Sequence, residues 1–230
     1  MPGRRAATAL AGAFLLFVTA ACGSTSTPSS ASSTTTRAHL LARELAALAD
    51  RGSGATWLVT FAFTRTTNSG TVLHDTVAAA HVAARAPIEI DSGFGSLVAT
   101  FGSRRWSCTI VGDDPQCLHT TVTGTTRPGA VYGGSIVSGR YSITRGPAAT
   151  IAGVAARCYF LKLRHGNPVA GIGFSSEQCY SSTGVPLRSR VQRSGSVDER
   201  SATAVTRTVG RTELLALLTP YGLQRLAPAR

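Results

Sequence analysis

Acidic residues and lysine are scarce in this chain. Its 230 residues include 11 Asp and Glu against 23 Lys and Arg, and the formal net charge is +12. Removing Arg4 and Arg5 still leaves about +10, and Lys162 is the single lysine. A basic excess of this size suits nucleic acid or an anionic membrane surface as a partner. It equally suits a basic surface that has no specific partner.

Signatures of catalysis and of metal binding are also missing. The histidines fall at positions 39, 74, 81, 119 and 165, without paired ligand spacing. The chain contains no Gly-x-Ser-x-Gly nucleophile turn and no Walker phosphate loop. The sequence therefore predicts no catalytic residue, no metal site and no cofactor. The members of a Ser-His-Asp triad need not be adjacent in sequence, so an envelope hydrolase stays a third hypothesis.

The first 22 residues hold the longest apolar run. Arg4 and Arg5 precede apolar residues 6–18, and Thr19-Ala20-Ala21-Cys22 follows them. The run is short for a membrane span, and small residues before a cysteine suit a lipoprotein signal peptidase. We predict a signal peptide over residues 1–21, acylation of Cys22, and attachment to the outer face of the cell membrane. The alternatives are an ordinary secretory signal and a transmembrane anchor.

Composition then divides the exported part into two regions. Residues 22–36 are almost entirely Ser, Thr, Gly, Ala and Pro, which predicts a flexible tether. The remaining residues, 37–230, suit a single domain. An exported lipoprotein rarely meets nucleic acid, whereas anionic phospholipid lies beside its anchor. The predicted partners are thus the membrane and a lipid, with no nucleic acid and with any protein partner unidentified.

Four cysteines remain after Cys22, and an exported compartment permits disulfide bonds. Three pairings are available, of which the pairing of sequence neighbours is the simplest. It joins Cys108 to Cys117 and Cys158 to Cys179. A zinc site is the rival interpretation, but no pair has the spacing of metal ligands.

Hydrophobic periodicity predicts helices over residues 38–50 and 212–218. Strands are predicted over residues 56–64, 76–83, 88–91, 97–101, 105–109, 156–164, 172–180, 185–192 and 202–209. A loop over 111–116 is expected to cap a hairpin, and 131–143 is either a short helix or an irregular strand. The predicted fold is α+β, with a single strongly curved antiparallel sheet, an open half-barrel, that covers one or two helices.

The densest basic cluster consists of Arg188, Arg190, Arg193 and Arg200. Arg188 and Arg190 project from the same face of one predicted strand, and Arg193 follows them. Guanidinium groups bind phosphate well, so Arg188, Arg190 and Arg193 are candidate contacts to a lipid head group or membrane. The alternative is a solvated strand and turn.

Several segments together resemble a known family. They are the cysteine-terminated signal with its Ser/Thr tether, the first helix running into an alternating aromatic strand, and Arg105-Trp106-Ser107-Cys108. Residues 153–159, 179–188 and 203–207 continue the likeness. Over most of the mature domain the chain resembles actinobacterial lipoproteins of the LolA/LppX/LprG-like superfamily.

The resemblance implies an apolar cavity for the acyl chains of lipids, lipoproteins or glycolipids in transit. The expected cavity-lining residues are Trp57, Val59, Phe61, Phe63, Leu97, Phe101, Tyr159 and Leu161. The first hypothesis is therefore a membrane-anchored, non-enzymatic protein that binds or transfers a lipid. The second is an envelope interaction or sensory module with a filled core. The two differ in whether the protein's own side chains fill the aromatic face of the strand at 57–63.

Overall fold

The computed structural model describes residues 30–84, 86–123 and 127–228. The predicted signal peptide and Cys22 lie outside these ranges, as does the first part of the predicted tether. None of the described helices combines the length and the apolar character that a membrane crossing needs.

The described ranges contain three α-helices and twelve strands. The helices are α1 (Ser30–Gly52), α2 (Pro128–Val137) and α3 (Arg211–Leu218). The first six strands are β1 (Trp57–Thr67), β2 (Val72–Val82), β3 (Ile88–Gly93), β4 (Ser96–Phe101), β5 (Arg104–Val111) and β6 (Asp114–Thr121). The others are β7 (Tyr141–Arg145), β8 (Ala149–Ile151), β9 (Val154–Leu163), β10 (Ser175–Ser181), β11 (Pro186–Gln192) and β12 (Ser196–Thr206). Two 3-10 turns, Thr219–Tyr221 and Gln224–Leu226, follow α3.

All of these strands belong to one antiparallel sheet. Their order is β6-β5-β4-β3-β2-β1-β12-β11-β10-β9-β7, and β8 also pairs with β9. The sheet is open, since β6 and β7 end the order among the described residues. The predicted fold class is confirmed: one large, unclosed antiparallel sheet with covering helices. Because β1 pairs with β12, the first and last strands of the chain meet at its centre.

Helix α1 covers the half of the sheet that contains β7, β9 and β10. It begins at Ser30, inside the segment predicted as a tether, and its leucines recur at helical spacing. Leu45 and Leu48 are fully buried against the tyrosines and aliphatic residues of those strands. Helix α2 crosses close to α1, since a Cβ on Gly129 would lie 2.4 Å from the carbonyl oxygen of Ala46. This packing fills the space beneath that half of the sheet.

Helix α3 packs on the opposite face, over β2 to β5. The unshifted registers of these strands place Leu58, Ala80, Ile90 and Ala99 in one row. Leu97 and Phe101 share that face, because they flank Ala99 at two-residue spacing. Leu97 is buried in the same cluster as Leu214 and Leu218 of α3.

The hairpin of β5 and β6 differs from the sequence prediction in one respect. Residues 111–116, expected to be a loop, belong instead to β5, a two-residue turn and β6. Gly112 supplies the positive φ, +65°, that such a tight turn requires. Every residue of β6 is exposed, so no alternation of polar and apolar residues marks it as a strand.

Both predicted disulfide bonds are present. Cys108 bonds to Cys117, directly opposite it on β5 and β6. Cys158 bonds to Cys179, opposite it on β9 and β10. The predicted pairing of sequence neighbours is confirmed. The cysteines of each pair meet because they lie on antiparallel strands that are adjacent in the sheet.

The segment whose structure the sequence left open contains both of the predicted alternatives. It is helical in α2 up to Val137 and extended in β7 from Tyr141. The short strand β8, which no prediction included, follows and pairs with the start of β9.

A partly buried ion-pair cluster joins β1 to β12 and predicts an acid-sensitive contribution to stability. Arg65 donates two hydrogen bonds, of 2.6 and 2.9 Å, to the carboxylate of Asp198, and Arg193 donates a third of 3.0 Å. The hydrogen bonds from Arg65 lead the effects that hold the pKa of Asp198 below its usual value. A lowered carboxyl pKa stabilises the fold above the unfolded-state pKa near 4 and loses that contribution as pH falls through the folded-state pKa.

We therefore expect Asp198→Asn to lower the free energy of unfolding at pH 7. The difference from the parent chain should shrink as pH falls below about 4, where the parent carboxyl also becomes protonated. Urea denaturation across this pH range measures the effect. Glu199→Gln is the matched control, since its exposed carboxylate meets Arg190 only at 3.7 Å. A pH-independent difference would contradict this role for Asp198.

Candidate functional site

The aromatic face of β1, expected to line a cavity, is largely filled by the protein itself. Val59 is 0% exposed, Phe61 1% and Phe63 8%. The ring of Phe94 meets Phe63 edge to face, with ring centroids 4.7 Å apart. Trp57, at the end of this row, is half-buried at the margin of an open cleft.

The other expected cavity residues occupy separate places. Tyr159 and Leu161 are buried beneath α1, in the cluster that contains Leu45 and Leu48. Leu97 and Phe101 lie on the other face of the sheet under α3. The structure therefore does not bring the eight residues together around a single cavity, because the helices occupy the space on both faces.

Beside the first half of α1 lies a cleft of about 510 Å³, which we call the arginine cleft. Its floor is apolar and is formed by buried side chains of three elements: Leu41, Ile136, Tyr141 and Ile143. Its rim is basic and consists of Arg37, His39, Arg145 and Arg164. An apolar floor with a cationic rim is the arrangement that suits an amphiphile with an anionic head group.

Two of these rim arginines have no ion-pair partner among the described residues. All 11 acidic residues of the chain lie in the described ranges, and none is within 4.0 Å of Arg37 or Arg164. Arg145 differs, because it shares Glu44 with Arg157. Arg37 and Arg164 are exposed and can therefore contact an added anion.

Exposed apolar side chains lie near the arginine cleft. Leu40 is 60% exposed on α1, and Val137 is 57% exposed at the end of α2. Such side chains enter the interfacial zone of a bilayer readily when cationic residues accompany them. This end of the molecule thus combines positive charge with exposed apolar surface.

The arginines singled out from the sequence are less available than those of the arginine cleft. Strand β11, which carries Arg188 and Arg190, lies between β10 and β12 in the interior of the sheet. Arg188 donates to Glu177 at 2.6 Å, and Arg193 is held by Asp198. Arg190 is exposed, 3.7 Å from Glu199. All three have carboxylate partners within the sheet.

Sequence reasoning missed Arg37 and Arg164 because they are far apart in the chain and stand in no dense basic cluster. The available signal is the helical spacing that places Arg37 one turn before Leu41.

Among the described residues, the side chains of Cys158, Glu177 and Cys179 lie close enough together to hold a metal ion. The two cysteine sulfurs are joined in a disulfide bond, which removes them as thiolate ligands.

Comparison with known proteins adds information on the fold only. No model of a protein family matches the sequence, and no curated protein matches it. A chain of the Pseudomonas aeruginosa MucA/MucB complex shares the fold, with a TM-score of 0.51 at 16% identity. That match covers 72% of this chain and 56% of the other, so this chain spans little more than half the length of that relative.

Two further structures belong to the group that the sequence resembles. The Mycobacterium tuberculosis lipoprotein LppX has a TM-score of 0.39 at 11% identity, and the match covers 76% of this chain and 98% of LppX. A LolA superfamily protein from Nitrosomonas europaea has a TM-score of 0.31 at 11% identity, with 73% and 94% of the two chains covered. Scores at this level carry no argument about ligand or partner.

Proposed function

We propose that this chain is an exported, non-enzymatic lipid-binding protein that acylated Cys22 holds at the membrane. Its lipid site is the arginine cleft rather than the aromatic face of β1. The observation that supports this most is the combination of an apolar floor with two rim arginines that have no carboxylate partner in the described part of the chain. The ligand class is a lipid with an anionic head group, whose acyl portion lies along Leu41 and Ile143.

The position of the arginine cleft in the chain supports the proposal. Seven residues separate Cys22 from Ser30, the first residue of α1. Eight peptide steps reach at most about 28 Å, so an acylated Cys22 keeps the start of α1 close to the bilayer. Arg37 lies two helical turns beyond that start. Attachment through Cys22 therefore presents the basic, partly apolar end of the molecule to anionic phospholipid.

Vesicle flotation tests the lipid contact without the acyl anchor. The mature chain carrying Cys22→Ser is mixed with vesicles of phosphatidylcholine, or of equal parts phosphatidylcholine and phosphatidylglycerol. We expect partition onto the anionic vesicles, and a loss of about 30-fold in Arg37→Gln/Arg164→Gln, since each arginine near the surface contributes about 1 kcal/mol. Raising the salt concentration should weaken partition in the same direction.

Arg207→Gln/Arg225→Gln is the matched control, because it removes the same charge from exposed positions outside the cleft. The control should keep its affinity for anionic vesicles. Equal losses in the two double variants would mean that overall charge, and not the arginine cleft, drives binding. Absence of partition in the parent chain would contradict the proposal.

A filled core is also what an envelope interaction module requires, and the burial of Val59 and Phe61 favours that second function. Its contact surface would be the free edge strand β6, where Leu118 is 66% exposed. An unpaired edge strand can accept an extended peptide by strand addition. The vesicle result separates the two functions, because an interaction module of this kind gains nothing from the arginine cleft.

A further inference from the structure

A second cleft, of about 380 Å³, lies on the same face of the sheet as the aromatic row of β1. We call it the Trp57 cleft. The last turn of α1 and the turn after β10 form one wall, and β1 to β5 form the floor. Gly52 and Gly184 touch in that wall, since a Cβ on Gly52 would lie 2.2 Å from the carbonyl oxygen of Gly184. The wall is therefore set by backbone packing.

The floor contains one row of side chains perpendicular to the strands. Trp57 is opposite His81, His81 is opposite Glu89, and Glu89 is opposite Thr100. Thr100 in turn is opposite Arg105. Directly opposed residues of an antiparallel sheet project from the same face, so all five side chains lie side by side along the cleft.

The inner end of the row is held in a fixed orientation. The indole Nε1 of Trp57 donates to the carbonyl oxygen of Gly52 at 2.9 Å. His81 is 4% exposed, and its Nδ1 is 2.6 Å from the carbonyl oxygen of Ala55, to which only a protonated nitrogen can donate. In the neutral ring this leaves Nε2 as an acceptor. The two rings also stack, with centroids 6.0 Å apart at an interplanar angle of 24°.

The outer part of the row carries two opposite charges that do not meet. Within the described ranges, neither the carboxylate of Glu89 nor the guanidinium of Arg105 has a hydrogen bond or ion pair. Strand β4 separates them, so their backbones are two strand spacings, about 10 Å, apart. The nearby carboxylate of Asp91 is different, because Arg200 pairs with it at 3.4 Å. Glu89 and Arg105 are thus the two charges that a ligand in this cleft can pair with.

We propose that the Trp57 cleft binds a small zwitterion that carries an ammonium group and a carboxylate or phosphate. The ammonium group lies at Glu89, where the Nε2 acceptor of His81 and the carbonyl end of α1 add negative potential. The anionic group lies at Arg105, which can hold it through two parallel hydrogen bonds. The hydroxyl of Thr100 lies between the two ends. This site is separate from the arginine cleft and does not depend on lipid binding.

Calorimetric titration of the mature chain carrying Cys22→Ser tests the proposal with ω-amino acids from glycine to 6-aminohexanoate. The length that binds best is then compared with its two singly charged analogues, the alkylammonium and the carboxylate of the same chain length. We expect the zwitterion to bind about tenfold more tightly than either analogue, because each charge-assisted contact contributes separately.

Two variants assign the ends of the ligand. In Glu89→Gln the zwitterion should bind no better than the carboxylate analogue, and in Arg105→Gln no better than the alkylammonium. Arg104→Gln is the matched control, since it neighbours Arg105 on β5 but projects from the other face. All three positions are exposed, and circular dichroism confirms that the variants remain folded.

The proposal is overturned if no member of the series binds, or if a singly charged analogue binds as tightly as the zwitterion. It is also overturned if Glu89→Gln and Arg105→Gln bind the zwitterion as the parent does. An anionic lipid that floats with the protein while the amino acids do not bind would leave the proposed function standing and remove this second site. The two failures are therefore distinguishable.

Discussion

Gly184→Ala is expected to lower the free energy of unfolding by about 3 kcal/mol or more. Gly184 has a φ of +84°, which is costly for any residue with a Cβ. An added Cβ would also lie 2.1 Å from the carbonyl oxygen of Leu48 and 2.3 Å from the amide nitrogen of Gly52. The turn after β10 and the end of α1 would have to separate, and their contact joins the helix to the sheet.

Gly153→Ala separates the two causes. Gly153 has a similar φ of +75°, but an added Cβ meets nothing within 4 Å. Gly153→Ala should therefore lower the free energy of unfolding only by the backbone strain, about 1 kcal/mol. Urea denaturation of both variants measures the difference. Equal losses would show that the close approach of α1 to the β10 turn contributes nothing to stability.

Removing the bond between Cys158 and Cys179 is the second change with a large expected effect. Cys158→Ala/Cys179→Ala should cost about 3 kcal/mol, because the bond closes a loop with a sequence separation of 21 residues. Both cysteines are also buried, at 1% and 0% exposure, so their replacement leaves poorly filled space in the core. Denaturation of the purified oxidised proteins provides the measurement.

The other bond provides the comparison. Cys108→Ala/Cys117→Ala opens a shorter loop, with a separation of 9 residues, and Cys117 lies on the exposed edge strand β6. Loss of this bond should lower the free energy of global unfolding by less than loss of the other bond. Its main effect should be faster amide exchange in β6. A larger loss of global stability in this variant than in Cys158→Ala/Cys179→Ala would contradict the view that the buried bond contributes more than the one at the sheet edge.

The parts of the fold that the sequence predicted are those with strong local patterns. The leucines of α1 recur at helical spacing because one face is buried, and the aromatic residues of β1 alternate for the same reason. Each disulfide bond joins cysteines that are neighbours in sequence, since each pair lies on two strands that are adjacent in the sheet. These features depend on short stretches of chain.

The parts that were missed depend on long-range packing. Strand β6 contains Pro115 and is exposed throughout, so its pairing with β5 comes from backbone hydrogen bonds and leaves no hydrophobic pattern. Leu97 and Phe101 were expected to line one cavity with the aromatic residues of β1, but they lie on the other face of the sheet. Alternation within one strand does not say which face a distant helix covers. Arg37 and Arg164 meet only after β9 and α1 have packed against each other.

Long-range packing also accounts for the difference between the expected cavity and the observed clefts. The aromatic residues of β1 form an apolar face in the sequence, but residues of β2 and of β8 to β12 pack against it as core. Helices α1 and α2 fill the neighbouring space over β7, β9 and β10. The Tyr132 and Tyr180 hydroxyls are 3.1 Å apart within the filled region. Burial is the main cause that raises the pKa of Tyr180, which keeps this phenol neutral inside the core. The arginine cleft and the Trp57 cleft lie at the margins of this filled region.

The most direct test of lipid binding at the arginine cleft is native mass spectrometry of the secreted mature chain carrying Cys22→Ser, followed by lipid extraction. We expect a bound anionic lipid of defined mass, which is lost in Arg37→Glu/Arg164→Glu and retained in Arg207→Glu/Arg225→Glu. A protein that carries no lipid and takes up no added phosphatidylglycerol would contradict lipid binding at the arginine cleft. So would a bound lipid that both double variants retain equally.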